Sequence, residues 1–373
     1  MKLKIFYANV YYPHFVEDFY RQYSALNKAS YRRQLNALYR QAFGIANFYP
    51  LNFRKLGHVV QDIVINIGPM QRQWANEAEF NIFSLKDCLI PHLPLIRAKH
   101  RNRWETDVLE ERIRRFKPDV IFMQNISYLD HHFISHLKQY THLMVGQIAN
   151  RLPAKDQFAP FDLIFGSLPN LLQQIESYGC STHFLPLAFE KTLLTRLPSV
   201  AREIDCSFIG GIAKGEHDHR TKMLNQVASR TGLDFYGYGG EYLKPKPPSL
   251  SLHGEVWGVD MYTKLLQSKI TLNSHGEISE KYANNMRLFE ATGCGTLLIT
   301  DWKENLSEFF KIDKEIVTYK SFAELVEKIK FYLKKPGIRE KIAKAGQKRT
   351  LTTHTYQDRA KTISKQIIGI LKS

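Results

Sequence analysis

Apolar and polar residues follow two patterns along the chain. Apolar runs of about four to eight residues are typical of buried strands, and longer stretches with an apolar residue every three or four positions are typical of helices. In the first half the two patterns alternate, and strands that alternate with helices pair in parallel through right-handed crossovers. We therefore predict a doubly wound α/β domain with strands at residues 3–10, 57–68, 120–124, 142–147, 161–167 and 183–189.

The second half repeats this rhythm. A strand that begins at residue 204 runs into Gly210 and Gly211, and a helix is predicted to follow at 219–231. The next strand begins at 234 and leads to Tyr238 and Gly239. Two adjacent glycines at the carboxyl end of a strand let the backbone approach a bulky anion. Ligands of open α/β sheets bind beyond such strand ends, so this half is predicted to hold a ligand.

A chain of 373 residues is too long for one ordinary core, so two domains are expected. The polar segment at 190–203, which contains Pro198, is the predicted boundary. The last helix is long enough to cross back to the first domain. The predicted division is therefore 1–190, 204–355 and a C-terminal helix at 356–373.

Residues 15–48 do not fit the alternating pattern. Their apolar residues lie at helical spacing and predict two helices, which is more than an ordinary crossover needs. Such an insertion could shape an acceptor pocket. The alternative, which we favour on the sequence, is a packing helix pair or a dimer face.

The composition limits the classes of molecule that the protein is expected to bind. The formal charge of +16 attracts polyanions, so nucleic acid, anionic lipid surfaces and nucleotide substrates all come into consideration. No zinc-finger, RRM or KH motif accompanies the charge, and specific nucleic-acid binding is not expected. No apolar run approaches the ~20 residues that span a bilayer, and no signal peptide is recognised. We expect a cytoplasmic protein with four reduced cysteines, and its charge would also fit a peripheral association with the inner face of the membrane.

Residues 284–301 carry the most specific chemistry. Asn284 or Asn285 can cap a helix that ends near Gly293 and leads into a buried strand. Arg287 in the first turn of that helix, together with the free N–H groups of its N-terminus, makes a plausible anion site. The carboxylate of Glu290, one turn further on, suits a sugar diol, because it can accept hydrogen bonds from two neighbouring hydroxyls.

From Asn285 to Asp301 the chain reads Asn-Met-Arg-Leu-Phe-Glu-Ala-Thr-Gly-Cys-Gly-Thr-Leu-Leu-Ile-Thr-Asp. This stretch resembles the donor-side signature of the CgeB-like (spore maturation protein-like) glycosyltransferases, which are related to the family-4-type, group 1 retaining enzymes of the GT-B fold. The likeness extends over roughly residues 115–365. That pattern has a second glutamate eight residues before Glu290, where this chain has Tyr282, and Glu280 and Glu277 are the candidates to replace it.

The resemblance implies a GT-B architecture, with two Rossmann-like doubly wound domains and a cleft between them. It implies transfer of a sugar from a nucleoside-diphosphate sugar to an unidentified acceptor, which could be a glycan, a lipid-linked molecule, a protein or a small molecule. Retention of configuration and metal independence are expected with it, and no cofactor. The donor-side candidates are Gly210, Gly211, Arg220, Tyr238, Gly239, Asn284, Asn285, Arg287 and Glu290.

Candidates for acid–base chemistry follow three predicted strands. His14 lies after the first strand, Asp130 and His131 after the strand at 120–124, and His275 after the strand that begins at 270. In a retaining reaction the departing phosphate can itself take the acceptor proton, and then no protein base is needed. Neither Asp130-His131-His132 nor His217-Asp218-His219 is expected to bind metal, because adjacent histidines point in different directions.

Two other classes of function stay open. One is a non-catalytic basic α/β module that binds an anionic polymer or a membrane surface. The other is a GT-B-fold sugar epimerase or phosphorylase. If Arg287 and Glu290 are partly exposed donor-site residues, replacing either by alanine should remove activity and leave the melting temperature within a few degrees.

Overall fold

The computed structural model describes residues 1–81, 103–215, 217–244, 246–283 and 285–372. The chain divides into two compact units. The first comprises Met1–Gly166, Leu172–His183 and Lys361–Ser373, and the second comprises Ser167–Leu171 and Phe184–Ala360. The segment that the sequence marks as a boundary, residues 190–203, thus lies within the second unit.

The first unit is built on a six-stranded sheet. Its strands are β1 (Lys4–Asn9), β2 (Val59–Val64), β3 (Val120–Met123), β4 (Leu143–Ile148), β5 (Leu163–Gly166) and β6 (Thr182–Phe184). The helices along this part of the chain are α1 (Pro13–Gln22), α2 (Tyr31–Arg40), α3 (Phe48–Lys55), α4 (Gly68–Glu77), α5 (Arg103–Phe116), α6 (His131–Leu137) and α7 (Pro169–Ser177).

The strand order in this sheet is β2-β1-β3-β4-β5-β6. β1 pairs in parallel with β2 and β3, so that Ile5 lies opposite Val60 on one side and Val120 on the other. The sheet is therefore wound outward in both directions from β1. Its central strands are buried almost throughout, because helices cover both faces of a sheet of this kind.

The second unit contains another six-stranded sheet. Its strands are β7 (Ile204–Ile209), β8 (Leu233–Tyr236), β9 (Leu250–Leu252), β10 (Ser268–Asn273), β11 (Leu297–Asp301) and β12 (Val317–Tyr319). The helices are α8 (Asp218–Ala228), α9 (Gly258–Gln267), α10 (Met286–Gly293), α11 (Leu306–Phe309), α12 (Phe322–Lys334) and α13 (Pro336–Thr353), followed by α14 (Tyr356–Ile370), which ends in the first unit.

The strand order in this second sheet is β12-β11-β10-β7-β8-β9, and its pairings are parallel. This is the order of a Rossmann fold, in which the chain winds outward from one central strand, returns, and winds outward again on the other side. Side chains at alternate positions of the strands form one core with α8, α12 and α13. The strand residues of that core include Cys206, Phe208, Ile270, Leu272, Leu297 and Ile299.

The predicted insertion at 15–48 contains more structure than two helices. α1 and α2 are separated by a short 3-10 turn at Ser24–Lys28, and α3 begins at the end of the insertion. Phe15 stacks on Phe43 with ring centroids 4.0 Å apart, and both residues are buried. The insertion is therefore packed against itself within the first unit.

Residues 82–102, which follow α4 along the chain, lie outside the described residues.

A buried histidine holds the start of the last helix. His354, between α13 and α14, lies with Nε2 3.0 Å from the Phe309 carbonyl oxygen and Nδ1 3.0 Å from Arg359 Nη2. Arginine can only donate, so Nδ1 is the acceptor and the ring is the neutral tautomer with its proton on Nε2. Burial, opposed in part by the bond to Phe309 and reinforced by the charges of Arg359 and Arg349, lowers the pKa of His354 to about 4.

The lowered pKa of His354 predicts that the free energy of unfolding depends on pH. An unfolded His354 would bind a proton with a pKa of about 6.5, so its contribution to stability is present above that value and is lost as the pH falls toward 4. Between pH 7 and pH 5 the loss amounts to about 2 kcal/mol of unfolding free energy. We expect the wild type to lose this much more than His354→Gln, measured by urea denaturation at both pH values. Parallel losses in the two proteins would contradict the assignment.

Candidate functional site

The strand order of the second sheet reverses between β7 and β10. β8 and β9 continue on one side and β11 and β12 on the other. The connections that follow two such neighbouring strands run to opposite sides of the sheet. They leave a crevice between them, just beyond the carboxyl ends of the two strands. The residues that follow these two strand ends are Gly210 and Gly211 after β7, and Ser274 and His275 after β10. The sequence candidates of the second half therefore come together at this switch point.

The loops after β7 and β8 run side by side. Gly210 N–H donates to the Tyr236 carbonyl at 2.9 Å, and Ile212 N–H donates to the Tyr238 carbonyl at 3.0 Å. A Cβ on Gly237 would collide with the carbonyl oxygen of Gly210, and one on Gly239, which has φ +81°, would collide with that of Ile212. The close approach of the two backbones therefore requires glycine at 237 and at 239.

An aromatic ring lies over the bare backbone of this turn. A Cβ on Gly211 would collide with the ring of Tyr238, so the ring rests directly on the glycine. Half of Tyr238 is exposed to solvent, at 50%. A flat, accessible ring beside a strand end is suited to stacking against a planar group such as a nucleobase.

Arg220, on α8, joins the two central strand ends. Its Nη1 donates to the Gly211 carbonyl at 2.8 Å and its Nη2 to the Ser274 carbonyl at 3.1 Å. Burial lowers the pKa of this guanidinium group, and the Phe208 ring lies 5.7 Å away. The arginine thus places a partly buried positive charge at the crevice and fixes the spacing of the loops.

The N-terminus of α10 is tied to the same edge of the sheet. Asn285 is the N-cap, with Oδ1 accepting from Leu288 N–H at 3.3 Å, and its Nδ2 donates to Asn273 Oδ1 at 2.9 Å. Asn273 in turn donates to Thr300 Oγ1 at 3.0 Å. The free amides of the first helical turn are therefore held at the ends of β10 and β11. Asn284, the other predicted cap, lies outside the described residues.

Arg287 and Glu290 form an ion pair, and the expectation that they are partly exposed is wrong for Glu290. Arg287 Nη1 lies 2.9 Å from Glu290 Oε2, and Nη2 donates to the Ile209 carbonyl at 3.1 Å. Glu290 is only 5% exposed, and the Tyr262 hydroxyl also donates to it. Burial raises the pKa of Glu290, while Arg287 and Tyr262 oppose the rise. The short helix packs its C-terminal half into the core, which is why a glutamate there is buried.

His275 is oriented by an aspartate that the sequence reasoning did not select. Its Nδ1 lies 2.7 Å from Asp301 Oδ1, and its main-chain N–H donates to the same oxygen at 3.1 Å. Burial alone would raise the pKa of Asp301, but the bonds from His275 and the charge of Lys303 hold it below its ordinary value. The ionised carboxylate fixes the ring proton on Nδ1. Asp301 directly follows a predicted strand, and that position at the carboxyl end was the signal that could have identified it.

Several buried polar atoms at the switch point lack a partner within the part of the chain that the structure describes. They are Arg220 Nε, Arg287 Nε and His275 Nε2. Buried polar side-chain atoms are nearly always hydrogen-bonded, so unsatisfied ones need an explanation such as a functional role. Their convergence on one strand edge singles out this edge as the candidate site.

The candidates in the first unit have other partners. Asp130 is the N-cap of α6 and accepts from Phe133 N–H at 3.0 Å. His131 Nε2 lies 3.8 Å from Asp156 Oδ2, and His14 is exposed on α1. No hydrogen bond or ion pair joins these three described residues to one another, so the structure does not assemble them into a catalytic group. Their proposed role as a base stays a prediction.

The two histidine-aspartate clusters serve local structure. His217 accepts from Ala213 N–H at 3.1 Å and Asp218 accepts from Gly215 N–H at 3.0 Å, so this cluster closes the turn before α8. In the described ranges, no group of three or more His, Cys, Asp and Glu side chains is arranged to hold a metal ion. Glu277 and Glu280, the candidates to replace the glutamate missing at Tyr282, are exposed.

Comparison with solved structures identifies the architecture. HepE from Anabaena, solved with UDP-glucose, superposes with a TM-score of 0.61 at 10% identity, and the match covers 99% of each chain. The chain has the GT-B fold. A glycosyltransferase from Rickettsia africae has a TM-score of 0.57 at 11% identity over 100% of this chain and 99% of its own. Sucrose-phosphate synthase from Thermosynechococcus elongatus has a TM-score of 0.55 at 12% identity over 100% of both chains. The predicted fold is confirmed.

Sequence comparison adds a match for part of the GT-B chain. Residues 220–365 match the sequence model of the glycosyl transferase-like family. This segment begins at Arg220 and includes β8 through β12 and the site residues on α10. A search of curated protein sequences finds no match. None of the described helices is both long enough and apolar enough to cross a bilayer.

Because Arg287 and Glu290 form an ion pair, replacing Glu290 should reduce the stability of the protein as well as its activity. Glu290→Ala leaves the guanidinium of Arg287, whose side chain is 13% exposed, without its counter-charge, and removing one partner of a buried pair typically costs about 3–5 kcal/mol. We expect urea denaturation to show a loss of about 3 kcal/mol or more for Glu290→Ala. Loss of activity in this variant would therefore not by itself distinguish a binding role from a folding role.

The matched control removes both charges. Arg287→Met combined with Glu290→Ala leaves no unpaired charge, so this double variant should regain most of the lost stability. A Glu290→Ala variant within about 1 kcal/mol of the wild type would show that the pair is not buried as described.

Proposed function

We propose that this protein is a glycosyltransferase that moves a sugar from a nucleoside-diphosphate sugar to an acceptor hydroxyl. The observation that carries the proposal is the convergence of two arginines, a glycine turn and a helix N-terminus on the switch point of the second sheet. Each of these groups favours negative charge, and together they suit a diphosphate. The match of residues 220–365 to a glycosyl transferase-like family supports the same reaction class.

The site divides among the parts of the donor. The diphosphate would lie against Gly211, Arg220 and the N-terminus of α10, because these supply amide hydrogens and positive charge. The nucleobase would stack on Tyr238, whose ring is accessible beside the same turn. Glu290 is proposed to face the ribose hydroxyls, and its pairing with Arg287 would fix the orientation of the carboxylate for that contact. HepE, a structural neighbour, was solved with UDP-glucose, which places UDP first among the nucleotides to test.

The chemistry requires stabilisation of a departing anion. The bond between the anomeric carbon and the β-phosphate oxygen breaks, and the electron pair leaves with the diphosphate. The acceptor oxygen forms the new bond to the anomeric carbon, and its proton passes to the departing phosphate in a retaining reaction. Preorganised cations and amide hydrogens lower this barrier because they are in place before the charge develops. Arg220 is held in this way by two carbonyl groups.

His275 is proposed to donate a hydrogen bond at the same site. Its ring is fixed by Asp301, and Nε2 is the nitrogen left to donate to the diphosphate or to a sugar hydroxyl when the ring is protonated. His275 is largely buried, so this role requires a small displacement of the loop after β10 when the donor binds.

The function predicts selective nucleotide binding. UDP, GDP and dTDP should be compared by thermal shift, and one of them at a hundredfold excess over its Kd should add about 2.7 kcal/mol to the free energy of unfolding. Replacing Tyr238 by alanine should weaken the binding of that nucleotide by roughly 5- to 150-fold, because stacking of a base on an aromatic side chain typically contributes ~1–3 kcal/mol. The exposed ring contributes little to folding, so the unliganded melting temperature should not change.

The control is a neighbouring tyrosine. Tyr242, in the turn Gly240–Tyr242, is 42% exposed, and Tyr242→Ala should leave nucleotide affinity unchanged. Binding of no nucleotide, combined with salt-sensitive binding of polyanions, would favour a non-catalytic binding module. Nucleotide binding with conversion of the donor sugar to its epimer in the absence of any acceptor, and without net release of the nucleoside diphosphate, would favour an epimerase.

We also propose that transfer needs no metal ion, because Arg220 and the amide groups of the site supply the positive charge that a metal would otherwise provide. Donor hydrolysis and transfer should proceed at an unchanged rate in the presence of EDTA. The measurement is release of the nucleoside diphosphate with and without added Mg²⁺. Loss of activity in EDTA that Mg²⁺ restores would contradict this part of the proposal.

A further inference from the structure

One segment of the first unit contains no acidic residue. Between Asp18 and Asp62 there are 43 residues, and 36 acidic residues in 373 would place about four in such a length. The segment instead holds seven basic residues: Arg21, Lys28, Arg32, Arg33, Arg40, Arg54 and Lys55. It includes the last four residues of α1 and all of α2 and α3, so the imbalance falls on folded helices and not on a tail. Like charges gathered in this way repel one another, and the repulsion is relieved when an anion binds.

The inner face of α2 is held in the unit. Gln34 is fully buried, accepts from the Tyr20 hydroxyl at 2.6 Å and donates to the Ala29 carbonyl at 2.8 Å. The Tyr39 hydroxyl donates to the Asp62 carboxylate on β2. These buried contacts fix the rotation of the helix, and the opposite face, which carries Arg32, Arg33 and Arg40, is exposed.

The exposed face forms one side of an open groove of about 590 Å³. Its cations are Arg32, Arg33 and Arg40, and its less polar lining is made by Tyr23, Leu26 and Ala37. Among the residues that the structure describes, no carboxylate lines the groove. Positive charge around partly apolar side chains matches the chemistry of a phospholipid at a membrane surface, where phosphate lies next to glycerol and acyl carbon.

Exposed aromatic residues occur in this part of the first unit, and one of them, Tyr23, lines the groove. Tyr12, at the start of α1, is 64% exposed, and Tyr23 is 37% exposed. Tyrosine is favoured where one end of a side chain meets an apolar phase and the other meets water. Clusters of about four to eight basic residues in and around an amphipathic helix are typical of proteins that bind anionic lipid headgroups. Here α2 carries three, and Arg21 and Lys28 precede it along the chain.

We propose that the first unit docks on an anionic phospholipid surface through this groove, which we term the α2 basic groove (Tyr23 to Arg40). The arginines contact headgroup phosphates, and Tyr23 and Leu26 lie at the level of the glycerol. The docking is peripheral. It involves only the first unit and is independent of nucleotide binding, so vesicle binding measured without a nucleotide distinguishes its failure from failure of the proposed transferase.

The test is sedimentation with vesicles in low salt. Wild-type protein should bind vesicles of equal parts phosphatidylglycerol and phosphatidylcholine and should not bind phosphatidylcholine alone. Each cation near such a surface contributes about fivefold to partitioning, so Arg32→Gln with Arg33→Gln should bind roughly 25-fold more weakly. Binding should also fall as salt screens the charges.

The matched control removes two charges elsewhere. Lys311 and Lys314 are exposed in the second unit, and Lys311→Gln with Lys314→Gln lowers the net charge by the same amount. This variant should bind as the wild type does. Equal loss in both double variants would show that net charge and not the groove is responsible, and would overturn the proposal.

Three further outcomes would also overturn it. One is wild-type protein that does not prefer anionic vesicles. Another is release of vesicle-bound protein by inorganic pyrophosphate but not by sodium chloride of the same ionic strength, which would assign the groove to a discrete phosphate ligand. A single-stranded RNA that binds wild type but not the Arg32→Gln, Arg33→Gln variant, with vesicle binding retained by both, would assign it to nucleic acid.

Discussion

The reversal of strand order between β7 and β10 is the constraint on which the candidate site depends. Two parallel strands deliver their chains to the same edge, and the chains then move apart to reach helices on opposite sides of the sheet. The space left between them is lined by backbone groups whose hydrogen-bonding capacity is not used in the sheet. Arg220 is directed into that space by bonds to a carbonyl group of each loop, so the topology and one side chain together create a positive site.

The site is stabilised by polar contacts that would be unfavourable in an ordinary core. A buried ion pair seldom adds net stability, because removing two charges from water costs as much as their attraction returns. The Arg287–Glu290 pair and the His275–Asp301 pair nevertheless lie within one small region of the second unit. Both hold a charged or polar group in one orientation before any ligand arrives. That preorganisation is what a site for a developing anion requires.

Much of the fold and part of the site followed from the sequence. The alternation of apolar runs and helical stretches was enough to predict two parallel sheets. A strand end followed by two glycines was enough to point to the edge of the second sheet where the strand order reverses. The burial of Glu290 could not be predicted, because it arises from the packing of the C-terminal half of α10 in the core, and the Tyr262 hydroxyl that donates to it comes from α9. Asp301 was missed for a related reason: its partner His275 comes from a neighbouring strand, and one sequence does not show which strands are neighbours. The helices of residues 15–48 were found, but their basic outer face emerged only once the buried side of α2 was known.

The glycines at 237 and 239 make the loops after β7 and β8 a single rigid body. Each glycine faces a carbonyl oxygen of the other loop at a distance that excludes any side chain. The ring at 238 consequently cannot shift along the sheet unless the turn at 210 and 211 shifts with it. Any alteration of the surface beside this turn would therefore have to come from the identity of residue 238, since the close packing of the two loops leaves their backbone little room to rearrange.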